Sequence, residues 1–351
     1  MPHRKHTTVL TVPAEKRKAF IRRCLVRLGV ARVLRRALRG KRAAVLRYHA
    51  VVDPRAVDYA VPSICIAPED FETQVRYIAR HYTVTDLDTL HRCLVHGEPF
   101  PPDAVVLTFD DGYADNFEAF RILRSHGLTA TFYVCTGPLN GTEPLWLPEA
   151  VYRFRKTTAR RIRIRAGSAD LDLPVGDPAT TEASLRSFVR LVKTHPRAVR
   201  DQAMEALRRA TRDVEDCEAR MRRIMLTWDQ VREMADAGMT IGGHTVTHLN
   251  LPHADPGDAR DEIVGCKESI EAALGREVRH FSYPNGGGYA YFDDRIVSMV
   301  RGAGYATATT SQNGVVRPGG DPLRMERVRI TESLPELVYA IDCDPVVESW
   351  R

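Results

Sequence analysis

The chain has 351 residues, 44% of them hydrophobic and 27% charged; this is the composition of a soluble globular protein and excludes a disordered chain, a collagen-like repeat and a disulfide-stapled miniprotein. Its formal charge of +6 conceals a split, because residues 1–47 hold 15 Lys and Arg against one acid, Glu15, a net +14 that leaves −8 on the remaining 304 residues. Length alone allows about two domains, or one α/β barrel with additions.

The basic segment comes first. Over residues 15–39, Phe20, Ile21, Cys24, Leu25, Leu28, Val33, Leu34 and Leu38 recur at three- and four-residue steps with arginines between them, and Gly40 follows. This spacing predicts one basic amphipathic helix, with Gly29 a weak point in its middle. Such a helix can rest on an anionic membrane surface, dock on the acidic body of its own chain or a partner, or touch nucleic acid. Nucleic acid is the least expected, because aromatic residues do not interleave with the basic ones. No apolar region of about 7–15 residues follows the first basic residues, so no secretory signal is expected, and no run reaches the ~18 apolar residues of a membrane span. Seven scattered cysteines without a CxxC pair predict free thiols in a reducing compartment. The expected location is therefore cytoplasmic, with contact to the inner membrane face allowed and export left open.

Alternating strand and helix signals follow. Residues 43–49 read as a buried strand ending in His49, 68–80 and 86–96 as helices, and 104–109 as a strand that delivers Asp110-Asp111-Gly112. A helix over 115–126 closes at Gly127, and 130–134 is the next strand. This order predicts parallel βαβ units. Residues 138–226 break the rhythm with a hairpin near 161–173 and charged helices over 182–193 and 197–222, which reads as an insertion or cap. The alternation resumes with a helix at 228–237, strand at 239–242, helix at 256–274, strand at 280–283, helix at 292–302, strand at 305–309, a last element at 327–330 and a helix near 333–340. The predicted divisions are an arm over 1–42, a body over 43–345 that includes the insertion, and a tail over 346–351.

Three motifs carry chemistry. Asp110 and Asp111 end an apolar strand, where the active sites of parallel α/β folds form, and Gly112 permits a sharp turn; adjacent carboxylates can divide between holding a metal and taking a proton. An Asp-Gly turn without chemistry is the other reading. His244-Thr245-Val246-Thr247-His248 spaces two imidazoles at i and i+4, as on one side of a helical turn, where they can bind one metal, or are merely two satisfied loop histidines. Tyr283-Pro284-Asn285-Gly286 ends another strand and can present backbone N–H groups to an oxyanion, or simply turn the chain.

Taken together and in this order, Thr108-Phe109-Asp110-Asp111-Gly112, His244-x-x-x-His248 and the aromatic-Pro-Gly loop resemble the polysaccharide deacetylase family, the NodB-homology or carbohydrate esterase family 4 group. The resemblance covers roughly residues 43–345. It implies a distorted (β/α)7 barrel that removes N-acetyl groups from an amino-sugar glycan with a divalent metal, most often Zn2+. Carried over, it makes Asp110 the catalytic base, Asp111, His244 and His248 the metal ligands, and the Asn285 N–H an oxyanion donor. Two features depart from the pattern. Ser282 stands where the family usually has an Arg that tunes the base, and no late Leu-x-His supplies a general acid. Leu46-Arg47-Tyr48-His49 resembles the early Tyr-His segment of a subgroup acting on poly-N-acetylglucosamine, whose barrel order is circularly permuted; His49 is therefore the expected general acid and Arg327 the expected replacement for the Arg. Asp115 and Asn116 are candidate supports of the first motif, and Trp146 reads as a core residue or a sugar-stacking one. Two other functions stay open: a same-fold hydrolase of a non-sugar C–N amide bond, and a non-catalytic membrane-surface glycan-binding protein.

Overall fold

The computed structural model describes residues 14–286, 288–330 and 333–343, so the predicted tail over 346–351 lies outside the described residues. Seven parallel strands form the body: β1 (Ala43–Tyr48), β2 (Ala104–Phe109), β3 (Thr131–Val134), β4 (Thr240–Gly243), β5 (His280–Ser282), β6 (Thr307–Asn313) and β7 (Met325–Arg329). β1 runs in register with β2 from Ala43↔Ala104 to Tyr48↔Phe109 and with β7 at Leu46↔Val328 and Arg47↔Arg329, which closes the ring. The result is a distorted (β/α)7 barrel. β1 and β2 are almost wholly buried, as strands are when side chains fill the barrel inside and helices cover it outside.

The distortion has two visible sources. The free edge of β2 is shared, because Thr83–Val84 pairs with Ala104 and Val105 while β3 pairs with Thr108 and Phe109. Between β6 and β7 the register moves from Thr309↔Met325 to Asn313↔Arg327. Four steps on β6 therefore match two on β7, a bulge of the kind that re-aims backbone groups beside active sites.

Helices cover the barrel, among them Pro68–His81, Leu87–Val95, Asn116–Ser125 and Pro256–Leu274, close to the predicted ranges. The basic arm departs from its prediction. It is two helices, Ala14–Arg27 and Val30–Ala37, split at Gly29, whose φ of 79° lies in the left-handed region that a continuous helix cannot hold. Leu25, Val26, Ala31 and Leu34 pack with Val338 and Tyr339 of the final helix Leu334–Asp342. Phe20, Ile21, Leu28 and Val33 stay exposed.

The 138–226 region forms a body with its own core. The antiparallel hairpin Arg161–Ala166/Ala169–Pro174 packs on helices Trp146–Lys156, Pro178–Lys193 and Arg197–Ala210 around Phe154, Ile162, Ile164 and Phe188. The single helix expected over 197–222 is interrupted between Ala210 and Cys217.

Candidate active site

The chemistry-bearing side chains gather at the carboxyl ends of the strands. Asp110 and Asp111 follow β2, His49 follows β1, His244 follows β4, Asn285 lies three residues beyond β5, and Arg327 is within β7. Their backbone is unusual. Of the five non-glycine residues with positive φ among the described residues, four are here: Asp111 (78°), Thr245 (67°), His248 (57°) and Asn285 (73°). Each costs on the order of 1–3 kcal/mol and persists only where the surroundings enforce it.

Asp110 and Asp111 are buried and face different partners. Asp111 Oδ1 is 3.3 Å from His244 Nε2 and 3.4 Å from His248 Nε2. Asp110 accepts two hydrogen bonds of 2.7 Å from Arg327, one on each carboxylate oxygen, and its Oδ2 is 3.7 Å from His49 Nε2. Left-handed geometry at Asp111, continued at Gly112 (φ 81°), aims the two carboxylates apart.

The His244–His248 segment is not the helical turn that its spacing suggested. It is a loop in which Thr245 and His248 adopt left-handed φ, and that turn brings the imidazoles to a centroid separation of 5.0 Å. Side chains from outside help to hold it. Trp146 Nε1 donates to the His248 carbonyl at 3.2 Å, Arg200 Nη1 donates to Thr247 Oγ1 at 2.7 Å, and the Thr247 N–H donates to Glu262 at 2.8 Å. Trp146 and Arg200 belong to the insertion, so this region braces the loop, and Trp146 is buried rather than offered to a sugar ring. Gly242 brings β4 close to the neighbouring strand: a Cβ there would meet the His280 carbonyl at 2.8 Å and the Tyr133 ring.

Asp111, His244 and His248 each offer one ligand atom, all within 4.8 Å of one another. The donor set fits a metal on two grounds. Asp111 Oδ1 is buried without a hydrogen-bond partner. A tetrahedral ion bound at about 2.05 Å also separates its ligands by about 3.3 Å, close to the spacing of Asp111 Oδ1 from each imidazole. His244 Nδ1 lies 2.7 Å from the Ser282 carbonyl, which can only accept; Nδ1 therefore carries the proton and Nε2 presents its lone pair to the site. Burial opposes ionisation of Asp111, but the imidazoles facing it hold its carboxyl below the usual range.

Around Asp110, burial alone would favour the neutral acid, and the Arg327 guanidinium outweighs it, so the carboxyl stays ionised below the usual range. Arg327 is itself fixed on all sides. Nε donates to the Thr310 carbonyl, exposed by the β6–β7 bulge, at 2.7 Å; Nη1 donates to Thr108 Oγ1 and Nη2 to Ser282 Oγ, both at 3.1 Å. The guanidinium thus reaches Asp110 from β7 and touches Ser282, the position where the motif lacks its Arg. Burial pushes the His49 pKa down to about 4, against the pull of Asp110 and Asp111. Asn116 Nδ2 holds the His49 carbonyl at 2.7 Å, while Asp115 accepts from the Val51 N–H at 2.9 Å and from the Tyr59 hydroxyl. The two candidate supports of the first motif therefore brace the β1 end.

A cavity of about 330 Å³ opens beside His49, lined also by Asn285, Arg47, Arg329 and Lys193. The Asn285 carbonyl accepts from Ser311 Oγ at 2.8 Å, and its side-chain amide has no hydrogen-bond partner among the described residues. Lys193 ends a helix of the insertion; burial lowers its pKa to about 8, against the pull of Asp111. Trp146 was noticed in the sequence without this task, whereas Lys193, Arg200 and Glu262 carried no motif. Their only signal was charge within or beside helices.

A profile described as polysaccharide deacetylase matches residues 97–163 and 194–308, just over half of the chain. The Bacillus subtilis (strain 168) protein YxkH, named for polysaccharide deacetylation, is 25% identical over 109 residues, 31% of this chain and 38% of that protein. The chain thus spans well under half of that curated relative. Among solved structures, the Streptococcus pyogenes deacetylase PplD, in complex with acetate, is similar with a TM-score of 0.57 at 20% identity, covering 86% of this chain and 98% of that one. IcaB from Ammonifex degensii is similar with a TM-score of 0.53 at 19% identity, covering 87% and 98%. These two likenesses establish a shared fold.

Proposed function

Because the chain belongs to the polysaccharide deacetylase family, we propose that it is a metal-dependent hydrolase that removes N-acetyl groups from an amino-sugar polysaccharide or glycan precursor and releases acetate. The observation that carries this reading is the division of two adjacent carboxylates, Asp111 toward the imidazole pair and Asp110 toward Arg327 and His49.

Asp111, His244 and His248 would hold the ion, and two imidazoles with one carboxylate suit Zn2+. When bound, a divalent ion supplies the charge that polarises an acetamide carbonyl and acidifies a water. The chain's own residues handle the protons. Asp110, kept ionised by Arg327, takes the proton from the attacking water. His49 delivers a proton to the leaving amine. Burial keeps the free imidazole neutral at physiological pH, so that proton arrives during turnover, across the 3.7 Å between Asp110 and His49. The Asn285 N–H, at a left-handed turn in the cavity lining, would donate to the developing oxyanion. Products are acetate and a free amino sugar.

Peripheral contact with an anionic membrane through residues 15–39 belongs to the same proposal. It is supported by exposed Phe20 and Ile21 on the first helix and exposed Leu28 just beyond its end, with arginines between them. The seven free cysteines favour a reducing, cytoplasmic setting.

The test is metal analysis coupled to an acetate-release assay on N-acetylated oligosaccharides. The expected result is stoichiometric metal and release that a chelator abolishes and zinc restores. Turnover of small linear or cyclic amides with none of the oligosaccharides would assign the site to the other hydrolase class.

A further inference from the structure

The cavity beside His49 has a charge pattern that de-N-acetylation of a neutral sugar does not require. Its lining includes three cations, Arg47, Arg329 and Lys193, and no carboxylate. Among the described residues none of the three is in an ion pair. Lys193 stacks on the Tyr289 ring at 5.4 Å, and Arg329 Nη2 reaches only the Ser63 carbonyl at 3.5 Å. Arg47 and Arg329 are register partners on the adjacent strands β1 and β7, so their side chains leave the same face side by side. Like charges so placed repel, and the Arg47 guanidinium has no hydrogen-bond partner among the described residues to compensate.

The positive lining continues outward. A second cavity of about 790 Å³ shares Arg47 and Arg329 with the first and adds Arg22 and Arg23 of the N-terminal helix, with Glu336 its one acid. Glu336 is 3.9 Å from Arg23 and leaves the Arg47–Arg329 pair uncompensated. The pair is also close to the reacting centre. Arg47 lies two residues before His49, about 7 Å along an extended chain at about 3.3 Å per residue, the reach of a single sugar unit.

Resting on the deacetylase reading above, we propose that the substrate glycan carries a phosphate within about one sugar unit of the acetamido group, and that Arg47 and Arg329, with Lys193, hold it. A phosphate presents up to two negative charges and three acceptor oxygens, which suits two planar guanidinium groups and an ammonium converging on one cavity; a carboxylate satisfies fewer donors. The phosphate can belong to a soluble sugar phosphate or to a lipid-linked sugar.

The test compares an N-acetylglucosamine tetramer, its 1-phosphate, the same tetramer ended by a carboxylate, and its isoprenyl diphosphate ester in detergent micelles. Acetate release and titration calorimetry are both measured on the full chain. The expected result is a KM or Kd at least about tenfold lower for the 1-phosphate than for the neutral tetramer, the worth of hydrogen bonds to charged groups. That ratio should collapse toward one in Arg329→Gln and in Arg47→Gln and be partly restored by Arg329→Lys. Arg329, on the exposed side, keeps the test valid if Arg47→Gln fails to fold. Equal affinities for the neutral and phosphorylated tetramers, an equal preference for the carboxylate, or a phosphate preference that survives both Gln variants would overturn the proposal. Preference for the micellar ester identifies a lipid-linked source and parity with the 1-phosphate a soluble one, both in agreement with it. If no tetramer releases acetate while the calorimetric preference holds, the deacetylase reading fails and the phosphate site stands.

Discussion

Arg327 places both Nη atoms 2.7 Å from the two oxygens of Asp110, and both side chains are buried. A residue from the last barrel strand thereby keeps the proposed base ionised from a position 217 residues away in sequence. The pair is a fixed charge couple, and each partner depends on the other for its place in a buried site.

Replacing Arg327 with Met should therefore strand an uncompensated carboxylate. The expected loss of stability is about 3–5 kcal/mol, read by denaturant unfolding. Without the guanidinium, burial raises the Asp110 pKa. The wild-type carboxylate stabilises the fold above its unfolded value and loses that contribution as pH falls through the lower folded value. In the variant the carboxyl protonates at higher pH, so the acid limb of kcat/KM should move upward. An unmoved acid limb in a folded variant would refute the assignment of Asp110 as the base.

Asp111→Asn keeps a side chain tolerated at a φ of 78° but removes the anionic ligand. Metal content after dialysis should fall well below stoichiometric while the fold is retained. Asp110→Asn should keep its metal and lose about 10²–10⁴ in kcat, the usual worth of a general base. Equal metal retention in the two variants would contradict the division of labour between these neighbours.

The neutral state of His49 gives a pH prediction on metal-free protein. Its folded pKa is about 4 against about 6.5 unfolded. The unfolded chain therefore binds more protons in that window, and stability should fall as pH drops from about 6.5 to about 4, by up to about 3 kcal/mol. His49→Gln should flatten this slope and lower kcat by about 10²-fold or more. A variant with wild-type turnover would remove His49 from the proton path.

Trp146→Phe retains the apolar ring while deleting the Nε1–H that holds the His248 carbonyl. Metal affinity should drop about 10- to 100-fold, the usual effect of losing a group that orients a ligand, with little change in the melting temperature. Competition with a chromogenic chelator measures this. An unchanged affinity would make the insertion a bystander to the metal loop.

Phe20 and Ile21 project from the first helix without burial. The Phe20→Ser/Ile21→Ser double variant should reduce co-sedimentation with anionic vesicles by about tenfold and leave acetate release from soluble oligomers intact. Equal sedimentation of both proteins would show that the arm serves only to dock on Val338 and Tyr339.

Local sequence was most informative where a single stretch carries its own geometry. The apolar run 104–109 had to be a buried strand and had to deliver Asp110 and Asp111 at its end, because backbone direction and side-chain alternation are set within a few residues. Gly29 marked the weak point of the arm, although the arm was expected as one helix; the break follows from its left-handed φ. The His244–His248 spacing correctly paired the two imidazoles, but its helical explanation was wrong, since left-handed turns at Thr245 and His248 do the work.

By itself, then, the sequence determined the alternation that builds a parallel barrel, the carboxylate pair, the histidine pair and the segregation of charge between arm and body. The resemblance already offers Arg327 as the partner of Asp110, but only the tertiary structure decided how that guanidinium is held and which other cations line the cavity. Arg47, Arg329 and Lys193 look alike in a sequence rich in basic residues. Barrel closure between β1 and β7 sets Arg47 beside Arg329, the β6–β7 bulge turns Thr310 toward Arg327, and the insertion carries Lys193 to the cavity beside His49. Contacts of this kind join residues hundreds of positions apart. Their strength depends on burial and distance, quantities that exist only once the chain is folded.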